Sequence, residues 1–161
     1  MQKRSVLRLA GLAIVATITA ASATATQATA PGAVEVTVFK SPTCGCCKEW
    51  VEHLRTHAKG TAFTVTAKDT ADVSSVKRTA HVPEGLYSCH TAFVNGYVIE
   101  GHVPAEDIQR LLKDKPRIAG IAVAGMPVGS PGMEMGDGTR DAYDPRLLLR
   151  AGKTQVFARH A

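Results

Sequence analysis

Residues 34–54 read VEVTVFKSPTCGCCKEWVEHL, and this stretch carries the change from strand to helix around which we expect the fold to be built. Val34–Phe39 alternates with period two and is rich in β-branched residues, which predicts a strand, and Ser41-Pro42 ends it. From Cys46 onward, apolar residues recur with helical spacing, at Cys47, Val51, Leu54 and Ala58. Three of the four cysteines in the chain therefore lie between a strand and the start of a helix.

The segments that follow continue an alternation of strands and helices. Asn95-Gly96 is the strongest short signal for a β-hairpin, and Pro104 suits the first turn of a helix that Pro116 ends. The predicted elements are strand Phe63–Ala67, helix Val73–Thr79, strands Thr91–Val94 and Tyr97–Glu100, and the helix after Pro104. The order β-α-β-α-β-β-α predicts an α/β, thioredoxin-like fold with helices flanking a mixed sheet.

The region after this helix has a different character. Residues 117–144 are rich in Gly, Pro and Met and show little periodicity, so we expect a long loop that is either functional or disordered. Arg146–Arg150 and Gln155–Arg159 are predicted to form a hairpin at the C-terminal end.

The first 25 residues have the pattern of a Sec-type signal peptide. Lys3, Arg4 and Arg8 precede an apolar segment, 9–21, that falls well short of the ~20 residues of a membrane span. Small residues follow, and we expect cleavage between about residues 23 and 28. A membrane anchor is the alternative. The interpretation predicts export to the periplasm, a flexible segment over 26–33, and a single domain over 34–160.

Loss of the signal peptide changes the charge of the protein. The whole chain has 19 basic and 14 acidic residues, a net charge of +5. Three basic residues and no acidic one lie in the predicted signal peptide, which leaves 16 basic and 14 acidic residues and a net charge of +2. Lys77-Arg78 is only a short basic pair and aromatic residues are few, so we expect no nucleic acid partner.

The cysteines allow three interpretations: structural disulfides, a redox couple or a metal site. Cys44 and Cys47 have C-x-x-C spacing at a helix start, where the helix dipole and free N–H groups stabilise a thiolate. Cys46, between them, is not needed by a redox couple, and a disulfide between adjacent cysteines is strained. In a thioredoxin-like fold the loop carrying Cys89 would bring a fourth sulfur to the same place. Four crowded thiolates suit Cu(I), which is soft and shares sulfur ligands between ions.

Methionine and histidine side chains extend the set of candidate ligands. Met126, Met133 and Met135 lie in the Gly/Pro-rich segment, where a thioether could bind copper or simply pack the loop. His90 follows Cys89 directly, His102 precedes the Pro104 helix, and His53 shares a helix face with Cys46. The predicted metal ligands are Cys44, Cys46, Cys47, Cys89, His90, Met126, Met133, His53 and His102.

Three motifs together resemble the CopG-type periplasmic copper-resistance proteins. They are TCGCCKEWVEHL (43–54), SCHTAFVNGYVIEGHVPA (88–105) and GMPVGSPGME (125–134). The resemblance covers about residues 34–160. It implies a thioredoxin-like fold, copper bound through Cys44, Cys46, Cys47 and Cys89, and a role in copper redox handling. Ala124 departs from the proline that this family is expected to have before GMP, outside the implied ligand set.

Our first hypothesis is therefore a periplasmic copper-binding protein for copper tolerance. It would hold Cu(I) at the four cysteines, as one ion or several, and whether it also cycles to Cu(II) is open. Its partners would be copper ions and other periplasmic copper-handling or redox proteins. The alternatives are a thiol–disulfide oxidoreductase with Cys44 as nucleophile and Cys47 as resolving thiol, and a protein with two structural disulfides.

Overall fold

The fold is built on one seven-stranded mixed sheet. The computed structural model describes residues 32–57 and 60–161, so the predicted signal peptide and most of segment 26–33 lie outside the described residues. The strands are β1 (Val34–Lys40), β2 (Phe63–Asp69), β3 (His90–Val94), β4 (Tyr97–Glu100), β5 (Gly120–Ala122), β6 (Arg146–Leu148) and β7 (Thr154–Val156). The α-helices are α1 (Gly45–His57), α2 (Val73–Thr79) and α3 (Ala105–Asp114).

The strand order is β2-β1-β3-β4-β5-β6-β7. β1 pairs in parallel with β2 and antiparallel with β3, and the β3–β4 hairpin then pairs in parallel with β5. In the β1–β3 pair, Lys40 at the end of β1 lies opposite His90 at the start of β3. The segment before β3 and the segment after β1 therefore meet at the same edge of the sheet.

Two apolar clusters pack the sheet. The larger joins α1 and α3 to the central strands and includes Trp50, Leu54, Ile99, Ile108 and Leu111, all fully buried. The smaller comprises Val82, Leu86, Val98, Ala122 and Leu148. Helix α3 presents an apolar stripe with i, i+3 spacing to the larger cluster, while α1 buries Cys47, Trp50, Val51 and Leu54. The start of α1 is thus fixed against the core.

The predicted class, a mixed sheet flanked by helices, is confirmed, and the element order is consistent with a thioredoxin-like fold. Helix α1 begins one residue before the predicted start, and the Asn95-Gly96 hairpin lies where the sequence placed it, with a positive φ at both residues. No helix among the described residues is long and apolar enough to cross a membrane.

One expectation was wrong. Residues 117–144 are not one continuous loop, because Gly120–Ala122 form β5 beside β4. This strand has three residues, all buried, so it shows no polar–apolar alternation that a sequence pattern could detect. A Cβ at Gly120 would lie 1.9 Å from the Val98 carbonyl oxygen, so a glycine is needed there. The C-terminal hairpin forms, with strands shorter than predicted.

Candidate metal centre

The four cysteine sulfurs converge between the start of α1 and the start of β3. Cys44 precedes α1, Cys46 and Cys47 lie in its first turn, and Cys89 is the residue before β3. All four Sγ atoms lie within 4.8 Å of one another. Cys46 Sγ is 3.5 Å from Cys44 Sγ and 3.7 Å from Cys89 Sγ, and Cys47 Sγ is 3.3 Å from Cys89 Sγ. We call these four residues the cysteine cluster.

Two oxidation levels coexist in the cysteine cluster. A disulfide joins Cys44 to Cys47, whereas Cys46 and Cys89 are free and partly exposed. The backbone N–H of Cys47 points at Cys44 Sγ, at 3.3 Å, as expected at a helix N-terminus. The hypothesis of two structural disulfides does not describe this arrangement, in which one disulfide lies against two thiols. Freeing all four sulfurs as ligands requires the disulfide to accept two electrons.

The environment of Cys89 favours its protonated form. Burial, together with the neighbouring Cys46, raises the pKa of the Cys89 thiol to about 12, although the Lys77 ammonium acts in the opposite direction. A metal that binds this sulfur must therefore displace a proton, so binding is coupled to proton release.

Two buried histidines complete a second group of potential ligands with Cys89. Cys89 Sγ lies 3.0 Å from His102 Nε2 and 3.2 Å from His90 Nδ1, and both imidazoles are fully buried. His102 Nδ1 donates a hydrogen bond to the Pro131 carbonyl at 2.7 Å, which leaves Nε2 as the unprotonated nitrogen facing the sulfur. The other nitrogen of His90, Nε2, is the buried side-chain polar atom without a hydrogen-bond partner among the described residues.

Burial keeps both imidazoles neutral. Desolvation, followed by the proximity of His102 and Lys77, lowers the pKa of His90 well below its usual value. Desolvation also lowers the pKa of His102, against the opposing effect of its bond to Pro131. A neutral imidazole has the lone pair that a metal ligand needs. Once the disulfide is reduced, four sulfurs and two neutral imidazoles, one of which has an unpartnered buried nitrogen, form a donor set that fits a soft transition metal.

Trp50 covers one side of the His90 ring. Its ring lies 4.3 Å from the His90 ring, and its Nε1–H donates to the Val103 carbonyl at 2.9 Å. The side chain is fully buried. It therefore both packs the core and excludes water from the back of the candidate site.

The segment between β5 and β6, residues 123–145, carries Met126, Met133 and Met135, and we call it the methionine-bearing loop. It approaches the cysteine cluster at Gly132. Gly132 has a φ of +84°, and a Cβ there would lie 2.6 Å from the Cys46 carbonyl oxygen and 2.8 Å from Trp50 N. Met133, the next residue, is half-buried, whereas Met126 and Met135 are about half exposed, at 51% and 53%. The loop is thus anchored beside the candidate site at Pro131 and Gly132. The ligand roles of Met126 and Met133 stay predictions.

His53 is not brought to either group of ligands. Its Nε2 accepts a hydrogen bond from the Ala105 N–H at 3.1 Å, at the start of α3, and its ring stacks on His57. Burial and the nearby His57 lower its pKa. The structure therefore shows His53 holding α1 to α3, and its predicted role as a ligand stays a prediction.

Sequence reasoning missed a buried polar network behind Cys89. Glu100 and Lys77 form an ion pair of 2.6 Å in which both side chains are almost completely buried, and Thr91 and the backbone of Ser88 bond to the same carboxylate. The available signal was a glutamate at the end of the apolar strand Tyr97–Glu100. A charge rarely occupies such a position unless it is paired.

Comparison with known proteins agrees with these features. A family profile described as "Protein of unknown function, DUF411" matches residues 86–133, and no curated protein matches the chain. Two solved structures, of copper resistance protein CopG in its Form 1 and Form 2, each share 44% sequence identity with a TM-score of 0.72. Both matches cover 80% of this chain, together with 98% and 99% of those chains. With this identity over nearly the whole length of those proteins, the chain belongs to the CopG family.

Proposed function

We propose that this protein is a periplasmic copper-binding protein that holds Cu(I) at the cysteine cluster and contributes to copper tolerance. The observation that carries the proposal is the convergence of four sulfurs within 4.8 Å from two distant parts of the chain. Thiolates are the ligands that Cu(I) prefers, and their crowding favours sulfurs shared between ions. The names of the two CopG structures support copper, among soft metals.

The surrounding residues suit this cargo. His102 is oriented by its bond to Pro131 so that Nε2 faces the sulfurs, an arrangement common for metal-binding histidines. His90 Nδ1 lies 3.2 Å from Cys89 Sγ, and its Nε2 is buried without a hydrogen-bond partner in the described chain. In the proposal the primary ligands are Cys44, Cys46, Cys47 and Cys89, with His90 and His102 adjacent and Met126, Met133 and His53 as further candidates.

An anaerobic Cu(I) titration of the reduced protein, purified from the periplasmic fraction, tests the proposal. We expect copper to bind with Cu–S distances typical of thiolates by X-ray absorption, and Cu–Cu scattering if the site is multinuclear. Mass spectrometry should also show an N-terminus created by cleavage between about residues 23 and 28. No Cu(I) uptake, or a preference for Zn(II) over Cu(I), would refute the assignment of the cargo.

A second candidate function is thiol–disulfide exchange. It is favoured by the disulfide between Cys44 and Cys47 at the start of α1, the position that a redox-active pair requires. An insulin-reduction assay separates the two functions. Turnover that survives Cys46→Ser and Cys89→Ser would favour the oxidoreductase, whereas copper binding depends on both residues.

A further inference from the structure

A buried ion pair lies immediately behind the segment that carries Cys89. Lys77 Nζ is 2.6 Å from Glu100 Oε1, and the two side chains are 4% and 0% exposed. Lys77 comes from α2 and Glu100 from the end of β4, so the pair joins two elements across β3. Lys77 also donates to the Thr91 hydroxyl at 3.1 Å.

The Glu100 carboxylate accepts hydrogen bonds from the residues on both sides of Cys89 and His90. Its Oε1 accepts the backbone N–H of Ser88 at 2.7 Å, and its Oε2 accepts the Thr91 hydroxyl at 2.7 Å. Thr91 and Glu100 are also direct neighbours in the β3–β4 register. The residues before and after the Cys-His pair are thereby fixed to one carboxylate.

Stability alone explains this network poorly. A buried ion pair is often no more stabilising than apolar side chains of the same volume, because both charges lose their hydration. What the network adds is a defined position for a short segment that has to present one sulfur to three others. Functional constellations need their members held within about 0.5 Å, which side chains locked by hydrogen bonds provide.

The same network reaches the methionine-bearing loop. The Ser88 hydroxyl donates to the Gly125 carbonyl, and the Gly125 N–H donates to the Tyr87 carbonyl at 3.1 Å. Gly101, which follows Glu100, has a φ of +72°, and a Cβ there would lie 2.5 Å from Ser88 Cβ. Ser88 is thus fixed from three directions, by Glu100, by the loop and by close packing against Gly101.

We infer that Glu100, neutralised by Lys77 and bonded to Thr91, is a positioning residue that sets the place of the Cys89 sulfur in the cysteine cluster. The inference rests on the proposed function, because the cluster is the site that needs Cys89 in place. Among the described residues, Glu100 bonds to Lys77, Ser88 and Thr91 rather than to a sulfur. Its effect passes through the backbone of Ser88 and the side chain of Thr91.

The test uses the closeness of Cys46 and Cys89 and needs no copper. In protein that keeps its Cys44–Cys47 disulfide, diamide removes two electrons and two protons from the free thiols and joins the two sulfurs, which lie 3.7 Å apart. The rate of this cross-link, normalised to the rates at which iodoacetamide alkylates Cys46 and Cys89 in the same variant, measures position independently of the accessibility and reactivity of either thiol.

The principal variant is Lys77→Met with Glu100→Gln, which leaves no buried charge unpaired. We expect the normalised cross-linking rate to fall about tenfold or more, since displacements near 1 Å can cost ~100-fold in rate. The matched control is Asp107→Asn, which removes another buried charge, one that pairs with Arg110 and His160 on α3 and in the C-terminal segment. It should cross-link at the wild-type rate even if it lowers the melting temperature.

If the double variant does not fold, two substitutions at Thr91 test the inference instead. Thr91→Val removes the hydroxyl and keeps the shape, and should lower the normalised cross-linking rate. Thr91→Ser keeps the hydroxyl and should show the wild-type rate. Wild-type rates in the double variant, or in Thr91→Val, would overturn the inference. Failure of wild-type protein to take up Cu(I) would instead refute the proposed function and leave this positional test intact.

Discussion

The Sγ atom of Cys89 lies 3.3 Å from that of Cys47, although 42 positions separate the two residues in the chain. The register of the sheet explains the contact. Because Lys40, the last residue of β1, pairs with His90, the first residue of β3, Cys89 must lie beside the turn that follows β1. That turn carries Cys44 and leads into the first turn of α1, which carries Cys46 and Cys47. The cysteine cluster is therefore a consequence of antiparallel pairing between neighbouring strands.

The first prediction concerns the oxidation state of the cysteines. Protein purified without reductant and then denatured should show two free thiols with a chromogenic disulfide reagent, and four after reduction, because one disulfide joins Cys44 to Cys47. Peptide mapping of alkylated protein should find label on Cys46 and Cys89. Label on Cys44 in unreduced protein, or no free thiol at all, would contradict the arrangement.

The second prediction compares two cysteines far apart in sequence. Cys89→Ser should lower the Cu(I) stoichiometry of the reduced protein as strongly as Cys46→Ser, because each of these sulfurs lies within 3.7 Å of two others in the cysteine cluster. Serine replaces a soft sulfur with a harder oxygen and changes the volume little. Anaerobic titration with a competing Cu(I) chelator measures the effect.

The control for this comparison is Met135→Ser, which alters a sulfur side chain that is 53% exposed and stands outside the predicted ligand set. It should keep the wild-type stoichiometry. If Cys89→Ser bound as much Cu(I) as the wild type while Cys46→Ser did not, the site would reside in the α1 cysteines alone.

The third prediction tests the contact between the methionine-bearing loop and α1. Gly132→Ala should lower the free energy of unfolding by about 1–3 kcal/mol, the range for a non-glycine residue forced into the left-handed region. The added Cβ would also press on backbone atoms of Cys46 and Trp50. Urea denaturation measures the stability, and limited proteolysis should show faster cleavage within residues 125–140.

Gly136→Ala is the matched control within the same loop. Apart from its chain neighbours, no atom of the described residues lies within 4 Å of the Cβ position at Gly136, and the φ of Gly136 is outside the strained range. The free energy of unfolding of Gly136→Ala should stay within about 0.5 kcal/mol of the wild-type value, as for most surface substitutions. Equal effects of the two variants would show that the loop does not rest on α1 at Gly132.

The structure confirms the predictions that rest on a repeating residue pattern. Features that depend on one contact between distant residues could not be predicted from the sequence. The strand–turn–helix around Cys44 and the Asn95-Gly96 hairpin follow from periodicity and turn chemistry, and together they place Cys89 near the cluster. The C-x-x-C spacing offered Cys47 as the disulfide partner of Cys44, but it did not decide between this pairing and the others that four neighbouring thiols allow. The Lys77–Glu100 ion pair could not be predicted either, because its two residues come from different elements and are brought together only by the fold.

The last prediction concerns acid stability of the metal-free protein with its disulfide intact. Burial lowers the pKa values of His90, His102 and His53, so the unfolded chain binds more protons than the folded one once the pH falls below their ordinary value of 6.5. The stabilisation is therefore complete above pH 6.5 and is lost progressively below it. The Lys77 charge lowers the pKa of His90 further, whereas Glu134 partly opposes the shifts at His102 and His53.

Urea denaturation at pH 7.5, 6.5 and 5.5 measures this dependence. Each group changes the free energy of unfolding by at most about 1.4 kcal/mol per pH unit, so the three together give a steep fall between the lower two values. His81→Gln, a change at an exposed histidine, is the control and should keep the wild-type slope. Unfolding free energies that stay level or rise on acidification would mean that these imidazoles are not buried in neutral form, and the orientation of His102 Nε2 toward Cys89 would then need another explanation.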